Sequence, residues 1–181
     1  MLENTKHHKQ AYMILRMTQC KDGSKEFQIV TSSGWSGARK HGFPKLLEAE
    51  AEASRAGNAE DSRVTPQNYS FSMLRADDVD GRKAYVLDVV PKKQTRYLVR
   101  RTIRVDAEDF AIMGKEGEPA KNPSFWIKSV QFAHKYEKHG FFWLAASDSS
   151  VSDARIFGPT ELRINYFDYV FNEPSQETKL R

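Results

Sequence analysis

Apolar and polar residues alternate with a period of two through most of the chain after Asn68, which is the pattern of half-buried strands. The alternation predicts strands over Tyr69–Ala76, Lys83–Val90, Tyr97–Val105, Phe110–Glu118, Trp126–Lys138, Phe141–Ser152 and Thr160–Phe171. They are separated by turn-forming stretches: Asp77-Asp78-Val79-Asp80-Gly81, Pro91-Lys92-Lys93, the polar corner Asp106-Ala107-Glu108-Asp109, Pro119, Gly140 and Gly158-Pro159. Connections this short join antiparallel neighbours, so the expected topology is a meander.

Ahead of this block, Gln10–Thr18 and Glu26–Ser33 read as a hairpin turned by Cys20-Lys21-Asp22-Gly23-Ser24. Ser33-Gly34-Trp35-Ser36-Gly37 breaks the pattern, and Pro44 opens a helix expected to reach Ala56, where Gly57-Asn58 stop it. Asn58 to Pro66 reads as a loop. The expected fold class is therefore α+β and mostly β: a curved antiparallel sheet, an incomplete barrel, covered on its concave face by one or more helices. At 181 residues the chain suits one domain. Residues 10–172 are assigned to it, 1–9 are expected to be disordered or foreign to it, and 173–181 to form a flexible tail.

Cover is the difficulty. The helix segment Leu46-Leu47-Glu48-Ala49-Glu50-Ala51-Glu52-Ala53 brings little volume to a face rich in aromatic and branched residues. Ala49, Ala51, Ala53 and Ala56 cannot fill the space opposite such side chains, and protein interiors are close-packed. A missing helix, a second copy of the chain or a bound lipid would fill it. The residues expected to line the cavity are Leu47, Tyr85, Leu87, Tyr97, Val99, Arg101, Ile103, Phe132, Tyr136, Trp143 and Tyr166.

Charge and composition exclude several classes. Twenty-eight basic against 24 acidic side chains give a formal net charge of +4. The densest basic group, Lys92-Lys93-Gln94-Thr95-Arg96 with Arg100, Arg101 and Arg104, alternates with apolar residues as a solvated strand face would. With no accompanying recognition motif, no nucleic-acid partner is expected. No run approaches the roughly 18 apolar residues of a spanning helix, so membrane contact is expected to be peripheral at most. Cys20 is the sole cysteine, which leaves no intrachain disulfide and no thiolate zinc site. The first nine residues carry no apolar signal-peptide core.

Three stretches together carry a resemblance: Val64-Thr65-Pro66-Gln67-Asn68-Tyr69-Ser70-Phe71, the strand and corner Thr102-Ile103-Arg104-Val105-Asp106-Ala107-Glu108-Asp109-Phe110-Ala111-Ile112, and Pro119-Ala120-Lys121-Asn122-Pro123-Ser124-Phe125-Trp126. They resemble bacterial outer-membrane lipoprotein-sorting proteins, the superfamily of the LolA and LolB carriers and the anti-sigma-factor regulator RseB. The resemblance spans Tyr12 to Asn172 and implies a half-barrel with an apolar cavity for acyl chains in the periplasm. Such proteins carry a signal and a helix ahead of the first strand, whereas here the strand pattern begins at Gln10, so a shortened N-terminus is expected.

Catalytic candidates are weak. Asp106, Glu108 and Asp109 form a carboxylate cluster, but at a strand corner, where Asp commonly caps a turn. His134 sits on a strand's apolar side without a second His or Cys at metal-ligand spacing and reads as a packed, hydrogen-bonded histidine. No phosphate loop, dinucleotide fingerprint or nucleophile elbow occurs, and no cofactor is expected. Arg101, among apolar neighbours, is expected either to turn inward, holding a lid or a ligand headgroup, or to reach solvent through a bulge after Arg100. The expected function is a non-enzymatic periplasmic carrier or sensor of lipoprotein or lipid acyl chains. The alternative is an envelope protein-interaction module of the regulator type.

Overall fold

The computed structural model describes residues 1–55, 63–95, 98–122, 127–155 and 158–171. In chain order the elements are β1 (Leu2–Asn4), β2 (Lys9–Gln19), β3 (Lys25–Gly34), α1 (Phe43–Ala53), β4 (Tyr69–Val79), β5 (Arg82–Pro91), β6 (Val99–Asp106), β7 (Ile112–Pro119), β8 (Ile127–His139), β9 (Phe142–Ala154) and β10 (Gly158–Asn165). All the strands belong to one open antiparallel sheet in the order β3-β2-β1-β10-β9-β8-β7-β6-β5-β4. The expected fold class holds: β4 to β10 form the meander, and a helix lies on the concave side.

The hairpins follow local chemistry. Asp80 and Gly81, both at positive φ, make the two-residue turn between β4 and β5. The β2–β3 turn is held by Asp22 Oδ1, which accepts the Ser24 backbone N–H at 3.0 Å. Register shifts at Ile14/Leu15, Met73/Arg75, Arg104/Val105 and Lys135/Tyr136 interrupt four of the ladders. Bulges of this kind bend a strand and increase its twist, and about ten strands is where an open sheet begins to curl.

Several boundaries differ from expectation. Residues 1–9 are not outside the fold: Leu2–Asn4 pairs with β10 on one side (Leu2↔Leu162) and β2 on the other (Leu2↔Ala11). The Met1 ammonium donates to Arg163 O at 2.7 Å, and Arg163 N–H donates back to Met1 O at 2.9 Å. The last strand stops at Asn165 rather than Phe171, and Gly158-Pro159 belongs to its first turnless residues. Pro119 does end β7. Before α1 the chain makes a π-helical turn, Ala38–Gly42, which the glycine-rich break did not foretell. The helix's expected last residue, Ala56, and its stop at Gly57-Asn58 lie outside the described residues, as does the start of the Tyr97–Val105 strand.

Two small apolar clusters occupy the helix-bearing face. Ala11, Ala38 and Phe43, with Leu2, Met13 and Trp35 around them, dock the start of α1 on β2. Tyr69, Val89, Leu98, Ile103 and Ala120, joined by Val64, Leu87 and Val105, pack at the other end of the sheet. The chain exposes 12820 Å², where a compact monomer of this size exposes roughly 9,000 Å². Much of the apolar face therefore stays open: Phe71 and Met73, opposite Val89 and Leu87, are 39% and 60% exposed.

The β6–β7 corner is fixed by Asp106, whose side chain is 1% exposed. Its Oδ1 accepts the N–H groups of Glu108 (3.0 Å) and Asp109 (2.8 Å). Arg82 donates to both its oxygens, at 2.6 and 3.0 Å. The hydrogen bond from Arg82 holds the carboxyl far below the ordinary carboxylate range; burial opposes it, and the Asp109 and Glu108 backbone N–H groups and the Arg82 charge add to it. Asp106→Ala is expected to cost about 2–3 kcal/mol, mainly through lost hydrogen bonds at a buried site, read by urea unfolding at pH 7. Because the folded-state pKa is depressed, this contribution is complete above the unfolded-state value of about 3.9 and is lost as pH falls through the folded one. The gap between wild type and variant should therefore hold down to about pH 4 and narrow below it.

Candidate functional site

The cross-strand register of β6, β7, β8 and β9 brings Ile103, Lys115, His134 and Asp148 into one row across the helix-bearing face. Alternation then places Phe132 and Tyr136 beside His134 on β8. A polar island results between the two apolar clusters. His134 Nδ1–H donates to Asp148 Oδ1 at 2.5 Å, and the Tyr166 hydroxyl donates to Asp148 Oδ2 at 2.5 Å. The His134 ring lies 5.0 Å from Phe132, and Lys115 Nζ sits 5.6 Å from the Tyr136 ring centroid.

Burial pushes the Asp148 carboxyl up, but the His134 hydrogen bond and charge, the Tyr166 hydroxyl and Lys115 together hold it below its ordinary value. Tyr166 moves upward, first from burial and then from donating to that carboxylate. Asp148 is therefore an ionised acceptor with both oxygens engaged. Among the described residues His134 has no hydrogen bond to a serine, threonine or cysteine, and no group of three His, Cys, Asp or Glu is placed to hold a metal. No described helix is long and apolar enough to cross a membrane.

Over this island runs the glutamate–alanine half of α1. Good helix formers and Pro44 in the first turn favour the helix, but few of its side chains are large enough to reach the sheet. It is moored instead by polar contacts: Lys25 Nζ donates to Glu50 Oε1 at 2.5 Å, and the Lys25 backbone N–H donates to Ser54 Oγ at 3.0 Å. Between helix and sheet a cleft of about 230 Å³ remains, lined by Val64, Tyr69, Val89, Val99 and Ile103 along its length and by Glu50, Lys115 and His134. A second depression, about 680 Å³ and open to solvent, lies between β8–β9 and the segment Tyr166–Phe171. Its lining mixes charged and apolar side chains, so it offers no enclosed apolar volume.

Of the residues predicted to line a cavity, Val99 and Ile103 line the cleft and Leu87 packs on the cluster beside it. Leu47 is half-buried on α1, and Phe132 and Tyr136 are half-buried on β8. Tyr85, opposite Val105, is 36% exposed, and Tyr166 belongs to the polar island. Tyr97 lies outside the described residues.

Two predictions fail. Trp143 is drawn to the corner, where its Nε1–H donates to Asp109 Oδ2 at 3.0 Å and Arg82 lies 5.7 Å over its ring. Arg101 is exposed and does not line the cleft. No register shift follows Arg100; instead Arg101 adopts φ 137° opposite Gly117 at φ 150°. A Cβ on Gly117 would stand 2.0 Å from Arg100 O, so only glycine permits this approach of the two strands. Glu50, Val64, Tyr69, Val89, Lys115 and Asp148 were missed. Tyr69 and Val89 share the period-two pattern of Leu87 and were findable; Lys115 and Asp148 carry no signal until the strands are paired.

Compared with family models, with curated proteins and with solved structures, the chain matches none.

The island predicts its own energetics. Tyr166→Phe should leave Asp148 with one donor fewer, cost about 1 kcal/mol in denaturant unfolding, and raise the Asp148 pKa as read by carboxyl NMR titration. An unchanged titration would mean that the Tyr166–Asp148 bond is not formed in solution.

Proposed function

We propose that this chain is a non-enzymatic, periplasmic carrier or sensor that shelters an acyl chain of a lipoprotein or lipid in the cleft beneath α1. One observation carries the reading: an apolar channel of five side chains, Val64, Tyr69, Val89, Val99 and Ile103, is roofed by a helix half whose side chains are too small or too polar to fill it. At about 230 Å³ the cleft is below the roughly 300–1,000 Å³ of sites enclosing a drug-sized ligand. A long acyl chain would extend from it over the open face toward Phe71 and Met73, or lift α1, which is held by few apolar contacts. Transfer of each CH₂ out of water gains about 0.8 kcal/mol, so affinity needs no polar contact along the chain.

The interaction-module reading draws support from the open edges. β3 and β4, 10 and 11 residues long, are the end strands of the sheet among the described residues, with Ile29, Val30, Met73 and Leu74 exposed. Edges of this kind accept an added strand from a partner.

Isothermal titration of the full chain with saturated acyl ligands below their micelle concentrations separates the two. A carrier should bind more tightly as the chain lengthens, by up to about fourfold per CH₂, until the cleft is full. Val99→Trp, which fills the cleft from β6, should weaken binding about tenfold or more while keeping the wild-type circular dichroism spectrum. Affinity independent of chain length would overturn the carrier reading.

A further inference from the structure

The apolar channel is closed at one end by the charged and polar side chains Glu50, Lys115 and His134. Glu50 is held by Lys25 at 2.5 Å. Asp148 has one oxygen occupied by His134 and the other by Tyr166. Among the described residues Lys115 has no carboxylate within ion-pair distance; its charge acts on Asp148 from further off, and its Nζ stands 5.6 Å from the Tyr136 ring centroid. Its neighbours across the ladder are Ile103 on β6 and His134 on β8, both lining the cleft. His134 commits Nδ1 to Asp148, which leaves Nε2 as its remaining polar atom in a residue of the same lining.

Lys115 and His134 line the same cleft as the five apolar side chains, and an anion brought beside the lysine gains a charge attraction that a neutral head does not. Resting on the acyl-binding reading, we infer that the cleft is selective for a single-chain amphiphile with an anionic head, its tail among Val64, Tyr69, Val89, Val99 and Ile103 and its head at Lys115 and His134. Lys115 is the attracting group. His134, held by Asp148 through Nδ1, donates to an anionic head through Nε2–H in its imidazolium form, for which Asp148 is the counter-ion. A carboxylate and a phosphate monoester share the required chemistry.

The test is calorimetric titration of the full chain at pH 7 with tridecanoate, dodecyl phosphate and dodecanol, which have the same twelve-carbon alkyl tail. At least one anion should bind about tenfold or more tightly than the alcohol, the scale of one partly desolvated ion pair, and the tighter of the two identifies the head. Lys115→Met keeps the aliphatic stem and should abolish the preference, bringing both anions to the affinity of dodecanol or below; Lys115→Arg should retain it. Equal binding of all three ligands to the wild type, or a preference that survives Lys115→Met, would overturn the anionic-head inference and leave the acyl-chain reading standing. Binding of none of the three would overturn both.

Discussion

A sheet of ten strands has two faces to satisfy, and the one bearing α1 is rich in Val, Ile, Leu, Phe and Tyr while its cover is three turns of helix. Hydrophobic burial scales with area removed from water, so cover is the constraint from which the other features follow. Curling brings distant strands toward one another and shields part of the face. The two apolar clusters form at the ends, where the chain itself returns: the π turn and Phe43 over β2, and Val64 and Leu98 over β5 and β6. Between them the space is divided between a narrow apolar channel and an island of mutually bonded polar groups.

That island is compatible with a greasy surface only because its members satisfy one another. Asp148 accepts from both His134 and Tyr166, and the ring of Phe132 shields the imidazole. Polar groups away from water need partners with good geometry, and a complete network fixes side-chain positions better than packing of flexible aliphatics would. The helix above is registered in the same way, through Lys25, Glu50 and Ser54 rather than through volume. Where polar contacts position an element and apolar contacts do not fill the space under it, the gap is a property of the fold rather than a packing defect.

The meander was legible because Asp-Gly and glycine turns punctuate a clean alternation, and the Asp80-Gly81 hairpin follows from those two residues alone. The fold's first strand was not. Three residues make too short a pattern, and their partner strand lies at the far end of the chain. Site prediction failed where register decides. Alternation assigned Trp143 and Arg101 to the apolar side, but Trp143 stands at the hairpin end of β9, where Asp109 and Arg82 capture it, and Arg101 takes a positive φ. Lys115 and Asp148 are ordinary surface residues in sequence, and only pairing across two ladders brings them to His134.

β1 joins the β2–β3 hairpin to the meander by three residue pairs on each side, and its mates in β10 lie at the far end of the meander. Closing a loop of some 160 residues is slow compared with forming neighbouring hairpins. The N-terminal hairpin and helix must therefore wait, tethered but undocked, until β10 is in place. The seam is zipped last, and with it the roof is set over a basin that the meander has already shaped.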